Sequence, residues 1–149
     1  MMHIRPAAMA DLPRIAEIEV FNYRLNFYPI FRSDEFYFDE MTVPKLMPLR
    51  AEFIPDILVY DDGVVKGFLH LGGDEVRRLY VEPVLPGQAI GAALLEYAIR
   101  EKQVSRLWAL EKNTRAITFY QRHGFRVTDE RRLEDGTEEY LVRLVRDQS

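Results

Sequence analysis

The chain has 149 residues, 48% of them apolar and 30% charged, with a formal net charge of −4. Those proportions fit one globular domain, expected over 1–149, that buries roughly two-thirds of its unfolded surface. They exclude a membrane span, because no run of about 18 apolar residues occurs, and the acidic balance argues against a nucleic-acid partner. The absence of cysteine removes disulfides, thiolate metal sites and an acyl-cysteine intermediate. His3, His70 and His123 are scattered and form no metal-ligand pattern, so no metal is expected. The N-terminal stretch lacks the apolar core of a secretory signal, which makes cytoplasmic residence the default expectation.

In chain order, "HIRPA" reads as a short strand ended by Pro6. "ADLPRIAEIEVFNYRL" has helical periodicity, with Leu12, Ile15, Ile18 and Leu25 on one broad face and Pro13 confined to the first turn. The proline- and aromatic-rich segment 26 to 56 predicts short helical pieces and loops. Its aromatics, together with Tyr23, Arg24 and Tyr28, are candidates to line a pocket. "ILVY-DDG-VVKGFLHL" is a strand pair around an Asp-Gly turn. "EVRRLYV" is a third strand of this group, followed by a turn carrying Pro83, Pro86, Gly87 and Gly91. A helix then runs to about Lys102 with Ile90, Leu94, Tyr97 and Ala98 at helical spacing. "SRLWAL" is a short strand. Asn113 can cap the helix "TRAITFYQRH", which Gly124 stops. A final hairpin turns at Asp135-Gly136. Strands and helices alternate without a linker or repeat, so a mixed α/β domain is expected.

The strand–turn–helix at Leu79 to Ala98 is suited to an anion, because the first N–H groups of a helix lack internal partners. Backbone groups of Gly87, Gln88, Ala89, Ile90, Gly91 and Ala92 are the ones available.

Two blocks carry a resemblance. "LYVEPVLPGQAIGAALLEYA" is similar to the acyl-CoA-binding motif of the GNAT superfamily of N-acetyltransferases. "LWALEKNTRAITFYQRHGF" resembles the same family's second signature at Asn113, Ala116, Phe119, Tyr120, Gly124 and Phe125. The order of elements matches over nearly the whole chain, except about residues 26 to 56. Aligned without gaps, the first block departs from the family at two positions. Pro86 stands where a glutamine is usual and Ala89 where a glycine is usual. A second register beginning at Gln88 needs two extra residues after Pro83. The ungapped register keeps the Ile-Gly-x-x-Leu-Leu phase. Pro86 lacks one N–H donor. Ala89 is expected to be helical or extended rather than left-handed. Weakened CoA binding follows as an expectation.

The resemblance implies a three-layer α/β fold. Its sheet would be mixed, mostly antiparallel and twisted, of about seven strands, with helices on both faces and one splayed parallel pair. That pair would be Arg77–Val81 and Arg106–Leu110. It implies acetyl-CoA as cosubstrate, with the pantetheine arm along Leu79, Tyr80 and Val81 and the pyrophosphate at the following helix. Tyr120 matches the family's tyrosine that protonates the departing thiolate. Asn113 is a cofactor contact or simply a helix cap. For the base that takes the amine proton, Glu82 is the first candidate, with Glu75 and Glu111 as alternatives. The activity implied is direct acetyl transfer to an amine in a ternary complex, the acceptor being a small amine or a peptide N-terminus. Tyr23 and Tyr28 are the residues selected for acceptor binding. A non-catalytic acyl-CoA-binding or sensing module is the alternative. A monomer and a homodimer are both left open.

Overall fold

A computed structural model describes residues 3–85 and 89–147. The chain runs β1 (Ile4–Pro6), α1 (Leu12–Asn26), α2 (Tyr28–Phe31), α3 (Val43–Arg50), β2 (Ile57–Asp61), β3 (Val65–Gly72) and β4 (Glu75–Val81). It continues through α4 (Ile90–Lys102), β5 (Arg106–Leu110), α5 (Thr114–Arg122), β6 (Arg126–Leu133) and β7 (Tyr140–Val145). The proline- and aromatic-rich segment is built from short helical pieces, as its composition suggests. Besides α2 and α3 it holds a π-helical turn at Glu35–Glu40 and a 3₁₀ turn at Ala51–Asp56.

The seven strands follow the order β1-β2-β3-β4-β5-β7-β6. All pairs with a described register are antiparallel except β4 with β5, which run parallel through Glu75↔Arg106 and Val76↔Leu107. This is the mixed sheet with one parallel pair that the family resemblance implies. The Asp-Gly turns are where the composition puts them: Gly63 and Gly136 both take positive φ, 121° and 76°.

The chain divides into two compact units, Met1–His70 with Arg78–Leu95, and Leu71–Arg77 with Glu96–Ser149. In the first, α1 lays Leu12, Ile15 and Ile18 on Ile57, Val59, Val65 and Phe68. A second cluster joins Ala16 and Val20 of α1 to Met41 and Leu46. Burial of such side chains contributes about 1.5–3 kcal/mol each. The helix is not divided as its periodicity suggests. Leu25 is 57% exposed, and the buried stripe takes in Glu19 and Asn22 instead. Two polar residues displace a leucine from the inward face because each finds buried partners there, described below.

β3 is buried on both faces from Gly67 to Leu71. His70 turns toward the 3₁₀ turn, with its ring 4.8 Å from Phe53. Gly67 turns toward α4. A methyl added at Gly67 would stand 3.1 Å from Ile90 Cγ2, 3.2 Å from the Tyr80 carbonyl oxygen and 3.3 Å from Leu94 Cδ1. In the second unit, β5 pairs Leu107 with Leu144 and Ala109 with Val142, all four buried. Tyr120 of α5 and Phe125 are buried in the same unit, with rings 5.7 Å apart.

Candidate active site

The junction that follows β4 begins with Glu82, whose N–H donates to the Lys66 carbonyl. In an antiparallel pair, backbone groups point alternately to the two sides. Residue 82 therefore faces β3, as residue 80 does, while Leu79 and Val81 turn their N–H and C=O groups to the other edge. One of those groups is already engaged. The Val81 carbonyl accepts from Asn22 Nδ2 at 2.9 Å, and the same amide also donates to Ile18 O. Asn22 was not among the residues selected from sequence. A polar residue inside an apolar helical stripe is the signal that could have found it.

Pro86, Gly87 and Gln88, singled out for the phosphate turn, lie outside the described residues. Ala89 is described, and it corrects one expectation. Its φ is +57°, in the left-handed region, not helical or extended. Its carbonyl accepts the Ala93 N–H at 2.9 Å, so Ala89 is the residue from which α4 starts. An alanine here pays about 1–2 kcal/mol for its Cβ. The reason a glycine suits this position is now physical. The ungapped register puts the family glycine on the residue that needs positive φ, which supports that register. Ile90, Gly91 and Ala92 follow in the first turn of α4, where N–H groups have no intrahelical partner. Those donors and the helix dipole suit a phosphate.

Glu82, the first candidate base, is paired. Arg14 Nη1 lies 2.8 Å from its Oε2, and Arg14 also donates to the Val65 carbonyl and to Glu17. The two alternatives are paired as well. Glu75 meets Arg143 at 2.8 Å, and Glu111 takes two contacts from Arg131. Of the three, Glu82 alone belongs to the junction that opens α4.

Tyr120 is buried, and that burial pushes its phenol above the usual tyrosine range. It is therefore protonated at neutral pH. Its hydroxyl has no hydrogen-bond partner among the described residues, so its proton is uncommitted. Asn113 caps α5, its Oδ1 accepting from the Ala116 N–H at 3.2 Å.

The two tyrosines selected for acceptor binding sit in different surroundings. Tyr23 packs edge-on to Tyr80 at 5.7 Å and to Phe27 at 5.0 Å. Burial first, then the charge of Glu19, pushes its phenol up. Tyr80 is shifted further in the same direction, again by burial first, and shares a hydrogen bond with Tyr23. Tyr28 instead joins the rings of Tyr37 and Phe38 and donates to Asp34. Among the described residues no ring pair or side-chain hydrogen bond joins it to Tyr23.

Beneath Tyr23 and Tyr80 lies a set of charges that sequence reading did not single out. Glu19 is fully buried and takes two contacts from Arg50, Nε to Oε1 at 3.0 Å and Nη2 to Oε2 at 2.7 Å. Arg78 of β4 approaches the same carboxylate, and its Nη1 lies 2.9 Å from His70 Nδ1. Among the described residues no cluster of His, Asp or Glu could hold a metal ion. No described helix is long and apolar enough to cross a membrane.

A seven-stranded mixed sheet with one parallel pair and flanking helices is an α/β fold of the acetyltransferase kind. The sequence model of the acetyltransferase (GNAT) domain matches residues 55–127. The chain is 31% identical over 106 residues to peptidyl-lysine N-acetyltransferase YjaB of Salmonella typhimurium, spanning 68% of this chain and 73% of that one. The solution structure of apo-form YjaB from Escherichia coli superposes with a TM-score of 0.74 and 25% identity, covering 95% of each chain. The PaiA N-acetyltransferase of Thermoplasma acidophilum, solved in complex with coenzyme A, gives 0.65 and 25%, covering 94% of this chain and 96% of that one. The chain belongs to the GNAT family of acetyltransferases.

Proposed function

We propose that this protein transfers an acetyl group from acetyl-CoA to an amine by direct attack in a ternary complex. The observation that carries the reading is the left-handed residue from which α4 starts after β4, since the first N–H groups of a helix lack internal partners. A relative solved with coenzyme A supports the choice of anion. The pantetheine arm runs along the edge of β4, taking both backbone groups of Leu79 and the N–H of Val81. Tyr80 contributes its place in the strand, and Asn113 holds the N-terminus of α5.

The acceptor amine must be neutral to attack. A lysine-type amine of pKa about 10.4 is neutral in roughly one molecule in a thousand near pH 7.5. Glu82 takes the proton that leaves this nitrogen, directly or through a water, and Arg14 holds the carboxylate in place at 2.8 Å. As the C–N bond forms and the C–S bond breaks, Tyr120 gives its proton to the sulfur. No cysteine is present to carry the acetyl group, which supports transfer in one step. The relatives named as peptidyl-lysine N-acetyltransferases support a lysine side chain as acceptor, alongside the small amines and peptide N-termini considered from sequence.

The test is thiol release from acetyl-CoA across a panel of lysine peptides, N-terminal peptides and polyamines, with both substrates varied. Intersecting initial-rate lines are expected, and parallel lines would refute a ternary complex. Tyr120→Phe should lower kcat by about a hundredfold while acetyl-CoA affinity stays nearly constant. A wild-type kcat in the folded variant would remove the assigned role.

A further inference from the structure

The charges under Tyr23 and Tyr80 do not balance. Glu19 contributes one carboxylate, and Arg50 and Arg78 contribute two guanidiniums. Among the described residues no other carboxylate lies within salt-bridge distance of either arginine. Arg50 satisfies the Glu19 oxygens with its bidentate grip. Arg78 Nε is left 3.5 Å from Oε2, buried and without a hydrogen bond. His70 cannot neutralise the excess. A guanidinium has donors only, so the His70 Nδ1 that meets Arg78 Nη1 at 2.9 Å is an acceptor. The ring therefore carries its proton on Nε2 and is neutral.

The phenols above add no negative charge. They share one hydrogen bond, which uses one of their two protons and leaves the other to donate. The cluster thus combines a surplus positive charge with an unused hydroxyl donor. The Arg78 side chain is 25% exposed, so a ligand can reach it. Two guanidiniums that share one buried carboxylate are under-compensated, and an incoming anion relieves that cost.

We infer that Arg78, with the Tyr23–Tyr80 hydroxyl pair, binds a carboxylate carried by the acceptor molecule. This rests on the transferase reading and narrows it: the preferred acceptor is an amine that also bears an acidic group. The carboxylate can be the α-carboxylate of a lysine derivative or the side chain of an acidic residue beside a peptidyl lysine. Charge-assisted contacts of this kind change affinity by about tenfold or more.

Two matched acceptor pairs test it. The first is Nα-acetyl-lysine against its carboxamide. The second is the capped dipeptide Glu-Lys against Gln-Lys. Each pair differs in the carboxylate and leaves the reacting side-chain amine alike. The acidic member should be favoured in kcat/KM by about tenfold in at least one pair, and which pair responds identifies the source of the carboxylate. In Arg78→Met that ratio should fall to near one, and Arg78→Lys should recover part of it. If Arg78→Met does not fold, Tyr23→Phe keeps the question open to measurement and should lower the ratio a few-fold. Thermal melts with the same four compounds give a readout independent of turnover. The acidic members should raise the wild-type Tm more than their neutral partners. Equal kcat/KM within both pairs overturns the inference while leaving the transferase reading intact. Absence of any transfer defeats that reading, and the melts then decide this one: equal Tm shifts within both pairs overturn it.

Discussion

Two arginine–glutamate pairs in this molecule have nearly the same geometry and opposite surroundings. Arg50 grips Glu19 through two contacts of 3.0 and 2.7 Å, and Arg131 grips Glu111 through two contacts of 2.9 and 3.1 Å. Glu19 is 0% exposed, whereas the side chains of Arg131 and Glu111 are 47% and 49% exposed. Distances alone would rank the two alike. Solvation separates them. At the surface each partner keeps water as an alternative, so the pair contributes little. In the interior water is no ready substitute, so removing one partner leaves a buried charge poorly compensated.

The largest expected effect breaks the buried side. Glu19→Gln should lower stability by about 3–5 kcal/mol, because Arg50 and Arg78 then lack the one carboxylate beside them among the described residues. Thermal melting should show a loss on the order of 10 °C. A change under about 1 kcal/mol would mean that water reaches the cluster, and the contrast with the surface pair would collapse.

Next in size is a change of backbone. Ala89→Gly removes the Cβ penalty at φ +57° and improves the residue that starts α4. A gain of about 1 kcal/mol is expected, with tighter CoA binding measured by calorimetric titration. Neutral stability and unchanged affinity would show that residue 89 does not control the junction.

Smaller still, and pH-dependent, is the Arg5 cluster. Arg5 bonds Asp11 twice and Asp61 twice. The Arg5 hydrogen bonds hold the Asp11 carboxyl below its ordinary 3.8. The Gly63 N–H first, then Arg5, hold Asp61 below the same value. A depressed carboxyl adds stability that is present above its unfolded pKa and lost as pH falls through the folded one. The stability difference between wild type and Arg5→Met should therefore be full at neutral pH and shrink below about pH 4. Chemical denaturation at pH 7 and at pH 3 checks this, and a difference independent of pH would remove the assignment.

The smallest effect is expected on the exposed side. Glu111→Gln should cost under about 1 kcal/mol and less still at high salt. A loss comparable to that of Glu19→Gln would erase the distinction.

The same contrast explains what was legible in the sequence. β4 spans the residues of "EVRRLYV", the Asp-Gly turns fall at Gly63 and Gly136, and Asn113 caps α5. Each of these follows from local chemistry: alternation, left-handed glycine, a side-chain cap. The buried cluster follows from none of them. Glu19 sits among apolar helix positions and reads as solvated, and its partner Arg50 lies in the proline-rich segment, where no periodicity guides the eye. Only the packing of α1 against α3 brings them together. Ala89 was misjudged for the converse reason. Residue preference argues against positive φ for alanine, and the chain imposes it to turn from β4 into α4. Leu25 fits the helical stripe in spacing but yields its place to Asn22, which is held inside by the Val81 carbonyl.

Gly67 has a consequence for how this chain can vary. Its missing side chain lets Ile90 and Leu94 rest close on β3, so the height of the first turn of α4 is set from a strand remote in sequence. Substitution at position 67 is therefore not independent of positions 90 and 94. A lineage that acquires alanine at 67 crowds Ile90, Leu94 and the Tyr80 carbonyl, and the first turn of α4 has to give by a few tenths of an ångström. These three positions should drift as a group, and an engineer can use the trio to shift the start of α4 without altering any residue of the turn before it.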